Sequence, residues 1–528
     1  PRGDDFGLVK VFERWDPARK INTMFWPQGE GDYRMQNPYW IAYRNLRLNQ
    51  KKRYMLSAQL SYDITDWLNI SGRVRVDNTH TKYEQKLYAS SNLTITEEST
   101  QGHYTISKPD ETQTYADVLA NINKRFNDFS LVANVGASIV NNRYEDLSYR
   151  GPIREKGIPN VFNVFDLDNT KKKARQDEWQ EQTQSVFASV EVGWKSMLYL
   201  TLTGRNDWAS QLANSSTPCF FYPSVGLSGV ISEMLTLPEF IDYMKVRGSF
   251  SSVGMPYPRN LTSPTYEYDE ANQQWKPKTH YPIKDLKPER TNSWELGLDM
   301  RLFKDFSLGF SWYLANTFNQ TFDPKVSVSS GYSKIYLQTG YVRNSGVELS
   351  LGYGHTWNNH LHWESNFTLS HNKNTIKDLV TSYIHPETGL PITQNRLDVG
   401  GLGKARFILK KGGTLGDLYT QSDLKRDNSG MVEIDPSGAL TTEDNLPDIK
   451  LGSVFPKANL AWNNRFEWRG ISLSALFTAR IGGIAYSATQ AAMDQYGVSE
   501  RSAQARDNGG VLLNGRTLVD CLLYTSPS

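Results

Sequence analysis

The chain has 528 residues, 22% of them charged and 38% apolar. With a mean hydropathy of −0.55, it has no stretch near the ~18 consecutive apolar residues that a transmembrane helix needs. A formal net charge of +2 gives no footing to a nucleic-acid partner, and Cys219 and Cys521 are too few for a disulfide framework or a cysteine metal site.

Mean hydropathy does not see β-barrels, whose strands alternate so that each segment averages out as polar. The 28 Tyr and 14 Trp suit interfacial aromatic belts, and equally a sugar-binding β protein. The chain opens on Pro1, with no charged and apolar leader behind it, and is expected to begin inside a longer protein. Residues 1–45 read as an approach segment and the start of the barrel.

From about residue 46 the dominant signal is period-two alternation. Leu68, Ile70, Val74 and Val76 oppose Asn69, Ser71, Arg73, Arg75 and Asp77. Phe129, Leu131, Ala133, Val135 and Ile139 follow the turn Asn127-Asp128. Val186, Ala188, Val190, Val192 and Trp194 lead into Lys195-Ser196, and Leu198, Leu200 and Leu202 come after. Trp294, Leu296, Leu298, Met300 and Leu302 alternate with Glu295, Gly297, Asp299 and Arg301. Phe306, Leu308, Phe310, Trp312 and Leu314 repeat the pattern. These two runs are read as a hairpin turned by Lys304-Asp305 alone. Val347, Leu349 and Leu351, then Trp363, Phe367 and Leu369, then Leu460, Trp462 and Phe466 on one side of Arg469-Gly470 and Ile471, Leu473, Ala475 and Phe477 on the other, complete the series. About fourteen strands are expected, with a further pair within 405–436 that finds no place.

Short turns alternate with long connections near 84–111, 145–180, 209–218, 254–290, 319–338 and 374–456. Tight turns at one rim and long loops at the other are the wiring of an outer-membrane barrel. Many runs are longer than the roughly 9–11 residues that a tilted strand needs to cross hydrocarbon. Aromatics flank the short turns, as at Tyr62 and Trp67, Phe126 and Phe129, Phe303 and Phe306, and Phe466 and Trp468. Closure is expected because each unpaired backbone polar group in hydrocarbon costs several kcal/mol. The expected fold is therefore all-β: a large antiparallel up-and-down transmembrane β-barrel over 46–483, unclosed in this stretch. Residues 484–517 are expected to be an extracellular loop. The tail 518–528, LVDCLLYTSPS, has no alternation and reads as non-native.

Ordered sequence patterns carry a resemblance. Asn37–Trp40 (NPYW), Tyr62–Asp77, Gln184–Leu212, Phe220–Met234, Lys245–Gly254 (KVRGSFSSVG), Leu286–Phe303, Val342–Leu351 and Ala479–Gly483 (ARIGG) resemble, in that order, the SusC/RagA-like TonB-dependent transporters. The resemblance covers about residues 37 to 483 and implies part of a 22-stranded barrel. It also implies import of a glycan or peptide nutrient, a SusD-like lid lipoprotein, and energy from the TonB complex. The family's TonB box, periplasmic domain and plug are expected before residue 1, and its last strands after about residue 483. A barrel enzyme and a secreted glycan-binding β protein are the alternatives.

Catalytic signals are sparse. HExxH, GxSxG and a full P-loop are absent from the sequence. Gly400–Lys404 (GGLGK) resembles the end of a P-loop, but Asp398 replaces the first Gly and Ala405 the Ser/Thr. The eight histidines are scattered, and His360 and His362 read as interfacial polar residues rather than metal ligands. Asp423, Asp427, Asn428, Asp435, Thr441, Glu443, Asp444 and Asp448 offer loop oxygens without EF-hand spacing, and read as solvated charge. No catalytic residue, metal or cofactor is therefore expected.

Two places remain as candidate sites. Arg205, Asn206 and Asp207 lie where a strand leaves the membrane, and the resemblance marks them as signature residues; they read as polar groups pairing across the lumen wall. In the loop Gly254–Arg290, Tyr266, Tyr268 and Trp275 are interleaved with carboxylates and amides. Flat rings beside hydrogen-bonding groups suit an extended peptide or a sugar. Packing within the loop, or against the lid, is the alternative.

Overall fold

The computed structural model describes residues 10–25, 36–261, 268–269, 274–275, 280–281, 287–322, 334–357, 360–384, 391–435, 440–495, 499–513 and 516–518. Fifteen strands form one main sheet. They are β1 (Asn45–Thr65), β2 (Leu68–Tyr88), β3 (Gly102–Ser107), β4 (Asp110–Phe126), β5 (Phe129–Pro152), β6 (Lys173–Trp194), β7 (Leu198–Ala209), β8 (Cys219–Val230), β9 (Ile241–Met255), β10 (Glu289–Leu302), β11 (Phe306–Phe322), β12 (Leu337–Trp357), β13 (Leu361–Asp378), β14 (Ala458–Trp468) and β15 (Ile471–Ile481). Strands pair with their neighbours in the chain, except that β3 and β4 do not pair with each other but share one place between β2 and β5. Among the described residues, β1 and β15 each pair on one side only.

The chain divides into two compact units. One comprises 1–120, 136–186 and 268–274, and the other 121–135, 187–267 and 275–528. In the first, β1 and β2 run 21 residues each. Their apolar row pairs Leu56, Ala58, Leu60 and Tyr62 with Val76, Val74, Gly72 and Ile70. On the other face Arg53 forks onto Asp77 at 2.8 and 2.6 Å, and Arg73 contacts Asp117 at 2.9 and 2.6 Å. The break between β3 and β4 falls at Lys108-Pro109, where proline has no N–H to give the ladder. Asp146 bridges it, accepting from the Ser107 hydroxyl and the Lys108 amide at 2.9 and 3.0 Å. The NPYW segment is structural. Asn37 caps the helix Pro38–Arg44, and fully buried Trp40 donates its indole N–H to Ser91 at 2.9 Å.

In the second unit the hairpins are tight. Asn127, Lys195, Ser196, Arg469 and Gly470 take left-handed conformations, which match the twist of a hairpin. Two turns are longer than their sequences suggest. Leu302 pairs with Phe306, so Phe303 joins Lys304 and Asp305 in a three-residue turn. Both Phe303 and Lys304 are left-handed, and the Lys304 amide donates to Asp242 at 2.6 Å. Phe303 is held out of the ladder because its ring stacks on Phe240, 5.5 Å between centroids. Likewise Met197 joins Lys195 and Ser196, its amide returning to the Trp194 carbonyl.

An aromatic belt follows these turns. Phe303 meets Phe306 at 6.4 Å, Phe306 meets Tyr353 at 4.8 Å, Tyr353 meets Trp363 at 5.1 Å, and Trp363 stacks on Phe466 at 5.6 Å. Rings at one depth across successive strands are what a lipid–water interface favours.

The expected strand pair within 405–436 lies outside the main sheet. Arg396–Leu402, Ala405–Lys410, Asp417–Thr420 and Ile449–Ser453 form a separate four-stranded sheet. GGLGK is its first hairpin: Leu402 pairs with Ala405 around Gly403-Lys404, and the register shifts between Asp398 and Gly400. The glycines thus serve a turn and a bulge. This sheet sits on β12 and β13 through Val342, Ile376, Leu379 and Leu409, with Leu397 and Leu415 packed beside them. The segment beyond β15 contains helices Ala488–Gln495 and Glu500–Asp507 and the hairpin Val511–Leu513/Arg516–Leu518. Residues 519–528 of the tail lie outside the described residues.

Candidate functional site

The chemistry of the second unit is sorted by sheet face. Because side chains alternate, residues opposite one another in the ladder share a face. One row runs Val246, Leu298, Phe310, Leu349, Leu369, Leu460, Ala479 from β9 to β15. The row beside it on the opposite face runs Ser228, Arg247, Gly297, Ser311, Glu348, Ser370, Asn459, Arg480 from β8 to β15. Register therefore keeps each face uniform over seven strands or more, and a one-residue slip anywhere would mix them. A hollow of about 580 Å³ is lined by β10–β15, with Asp299, Glu348, Ser350, Thr368, Ser370 and Arg480 among its walls.

Arg247 is the centre of the polar face. Its guanidinium donates to Asp299 at 2.9 Å, to Glu295 at 3.2 Å and to Ser311 at 2.6 Å. It crosses β10 over Gly297, where an added Cβ would stand 2.6 Å from the guanidinium carbon. The glycine between Glu295 and Asp299 is thus a seat for the arginine. Sequence reading missed this site. Its only local signals are an arginine on the polar parity of KVRGSFSSVG and a glycine between two acids in WELGLD.

The signature triplet is divided by the pleat. Arg205 and Asp207 share a face: the Arg205 Nε donates to Asp207 at 2.7 Å and to the Tyr222 hydroxyl at 3.0 Å, and Tyr222 donates to Asp207. The Arg205 guanidinium lies over the Phe187 ring, 5.4 Å from its centroid. Glu191 belongs to the same side, accepting from Thr201 at 3.2 Å. Asn206 faces the other way, on the parity of Leu200 and Leu202, opposite Phe221 in β8. The expectation that all three pair on one wall is corrected for Asn206, since odd and even residues of a strand cannot share a face.

Of the loop candidates, Tyr266 lies outside the described residues. The backbones of Tyr268 and Trp275 belong to the paired short strands Tyr268–Asp269 and Gln274–Trp275.

The acidic loop residues are engaged locally. Asp448 accepts from Arg396 at 2.6 and 2.9 Å, and Lys410 lies 2.8 Å away. The Arg396 hydrogen bond, with burial opposing it and Lys410 assisting, holds the Asp448 carboxyl down at about 2. Fully buried Asp417 meets Lys450 at 2.6 Å and Thr414 at 2.7 Å. Burial pushes its pKa up, but these partners outweigh it and hold it below the ordinary carboxylate range. Asp444 pairs with Lys404 at 2.7 Å, and Asp427 accepts from the amides of Ser429 and Met431. Among the described residues no three His, Cys, Asp or Glu side chains gather where a metal could sit. His355 bonds Asp305 at 2.8 Å and His362 bonds Thr356 at 2.9 Å, both beside short turns.

Among solved structures, the chain resembles the RagAB peptide transporter with a TM-score of 0.68 at 16% identity, over 87% of this chain and 51% of that one. The RagAB peptide importer in the open-open state gives 0.65 at 17%, over 85% and 48%. Two TonB-dependent receptors of Formosa agariphila, P39 and P26, are each 23% identical, over 61% and 62% of this chain and 30% and 34% of their own lengths. The chain thus spans about a third of these relatives. Residues 2–437 match the family described as TonB dependent receptor-like, beta-barrel, and the chain belongs to that family.

Proposed function

We propose that this chain forms wall and outer loops of an importer that carries a peptide or glycan nutrient across the outer membrane, energised by TonB and lidded by a SusD-like lipoprotein. As a family member it is an outer-membrane β-barrel protein and not an enzyme. One observation carries the proposal: from β9 to β15 the row Val246 to Ala479 is apolar at every strand, and the row beside it on the other face, Ser228 to Arg480, holds only polar side chains and Gly297. The apolar row meets lipid, and the polar row lines a lumen along which a hydrated, hydrogen-bonding solute can pass. A secreted sandwich would bury one of its faces within the protein.

The likeness to a structure described as a peptide transporter favours a peptide among the two solutes. Tyr266, Tyr268 and Trp275 are proposed to contact it on the outer side, where rings stack on a backbone or sugar face and neighbouring amides and carboxylates pair with it. Arg205 and Asp207 are proposed to stiffen the wall through Tyr222, leaving substrate to the loop.

The test uses the full-length transporter in cells. Tyr266, Tyr268 and Trp275 are replaced together by Ala, surface display is confirmed, and uptake of a labelled oligopeptide mixture and of labelled oligosaccharides is measured. The expected result is at least a tenfold loss for one class and none for the other. Unchanged uptake of both removes the loop from the substrate path.

A further inference from the structure

Three glycines interrupt the apolar face of β7–β9: Gly204 lies under the Phe221 ring and Gly229 beside Met234, whereas Gly248 borders a groove. The row Leu200, Leu227, Gly248, Leu296, Trp312, Val347 places a glycine where every other strand supplies a large side chain. The row beside it pairs Val225 with Phe250 and Phe250 with Trp294. The result is a groove of about 440 Å³ lined by Gly248, Val225, Leu227, Phe250, Trp294, Leu296 and Trp312, in which the Leu296 side chain leans toward the glycine, 3.3 Å from where a Cβ would stand. Phe250 and Trp294 lock one wall, 4.7 Å between ring centroids. A volume of this size lies within the usual range for ligand sites, roughly 300–1,000 Å³.

The groove opens on the face that meets lipid in a barrel of this family, so its occupant comes from the bilayer. Its position selects the leaflet. Long loops mark the outer rim, and β9 ends there at Met255 while β10 begins there at Glu289. Phe250 and Trp294 therefore stand in the outer half of their strands. On the same face, four residues further outward, is exposed Arg290, whose guanidinium donates to the Phe221 carbonyl at 2.8 Å. At about 3.3 Å per residue and a tilt of roughly 40°, it stands about 10 Å above Trp294. That separation places a cation at headgroup depth and an apolar furrow at acyl depth.

We propose that the groove over Gly248 holds an acyl chain of lipid A, whose phosphate is met by Arg290. Lipid A is the phosphorylated lipid of the outer leaflet, and the furrow and the arginine match its two ends. A smooth wall would hold annular lipid without preference, whereas a furrow adds dispersion contacts on three sides of one chain.

The full-length transporter is purified in mild detergent, delipidated, and offered either lipid A or phosphatidylethanolamine. Native mass spectrometry counts the retained molecules. Three variants are compared: Gly248→Leu fills the furrow, Arg290→Gln removes the cation, and Leu473→Ala alters the apolar face elsewhere. Lipid A occupancy is expected to fall at least tenfold in Gly248→Leu and about threefold in Arg290→Gln, with no change in Leu473→Ala. Retention of phosphatidylethanolamine stays low throughout. Heat-modifiable migration checks folding; should Gly248→Leu not fold, Trp294→Ala removes the wall instead, with the same loss expected. Equal lipid A retention by the folded groove variants and the parent overturns the proposal. So does equal retention of both lipids, which would mark an unselective annulus. A dimer lost in Gly248→Leu would assign the groove to a second copy of the chain and also overturn it.

Discussion

The wall strands β9–β15 and the small sheet spanning 396–453 obey different rules in one chain. In the wall, large apolar side chains lie open: Leu296 is 56% and Leu473 68% exposed. In the small sheet, Ile408 and Asp417 are fully buried, and a compact cluster joins it to β12 and β13. The wall has no core of its own because the bilayer is its apolar phase. The small sheet has a core of its own, built by burial as in any soluble domain. Exposure therefore misreads the wall and reads the small sheet correctly.

The largest effect should come from breaking the sorting of the wall. Leu349 and Ser350 are adjacent in β12 but face opposite ways, about two turns of the pleat above the belt residue Tyr353. In urea titrations of the full-length barrel in vesicles, Leu349→Arg should cost about 2–4 kcal/mol, and Ser350→Arg less than about 1 kcal/mol. Equal costs would mean that the two faces meet the same medium.

A smaller effect should appear in the small sheet when the detergent-solubilised protein is acidified. The Asp448 carboxyl is held below its ordinary value of 3.8, at about 2. Its contribution is therefore complete above about pH 4 and is lost as the pH falls through about 2. Pepsin cleavage within 396–453 should rise between pH 4.5 and 2. Asp448→Asn should show the raised cleavage already at pH 4.5, while the heat-modifiable migration of the wall stays as in the parent. Cleavage indifferent to both changes would show that Arg396 and Lys410 do not hold this sheet.

The smallest effect belongs to the polar face. Gly297→Ala should push Arg247 off its seat and separate it from Asp299 and Ser311. These pairs are partly solvated, so the change should cost less than about 1 kcal/mol in the same urea titration. A loss above about 2 kcal/mol would instead place this cluster in a dry environment, contrary to a water-filled lumen.

By itself, the sequence determined which residues lie on which face and in what order the hairpins follow. Period two is written into consecutive residues such as Trp294 to Leu302, and no distant partner is needed to read it. The alternation of short turns with long connections was equally legible. Turn length was not, since Phe303 joins its turn through a ring contact with Phe240, 63 positions away in the chain. Asn206 could have been assigned from parity alone, but the resemblance treats it together with Arg205 and Asp207. Tertiary structure decided the register that seats Arg247 on Gly297, the pairing of Arg205 with Tyr222, and the gap over Gly248. It also decided that 396–453 folds as a separate sheet on Val342 and Ile376. Each depends on which residue of a neighbouring strand stands opposite, and that is set by the sum of many weak cross-strand contacts rather than by any local pattern.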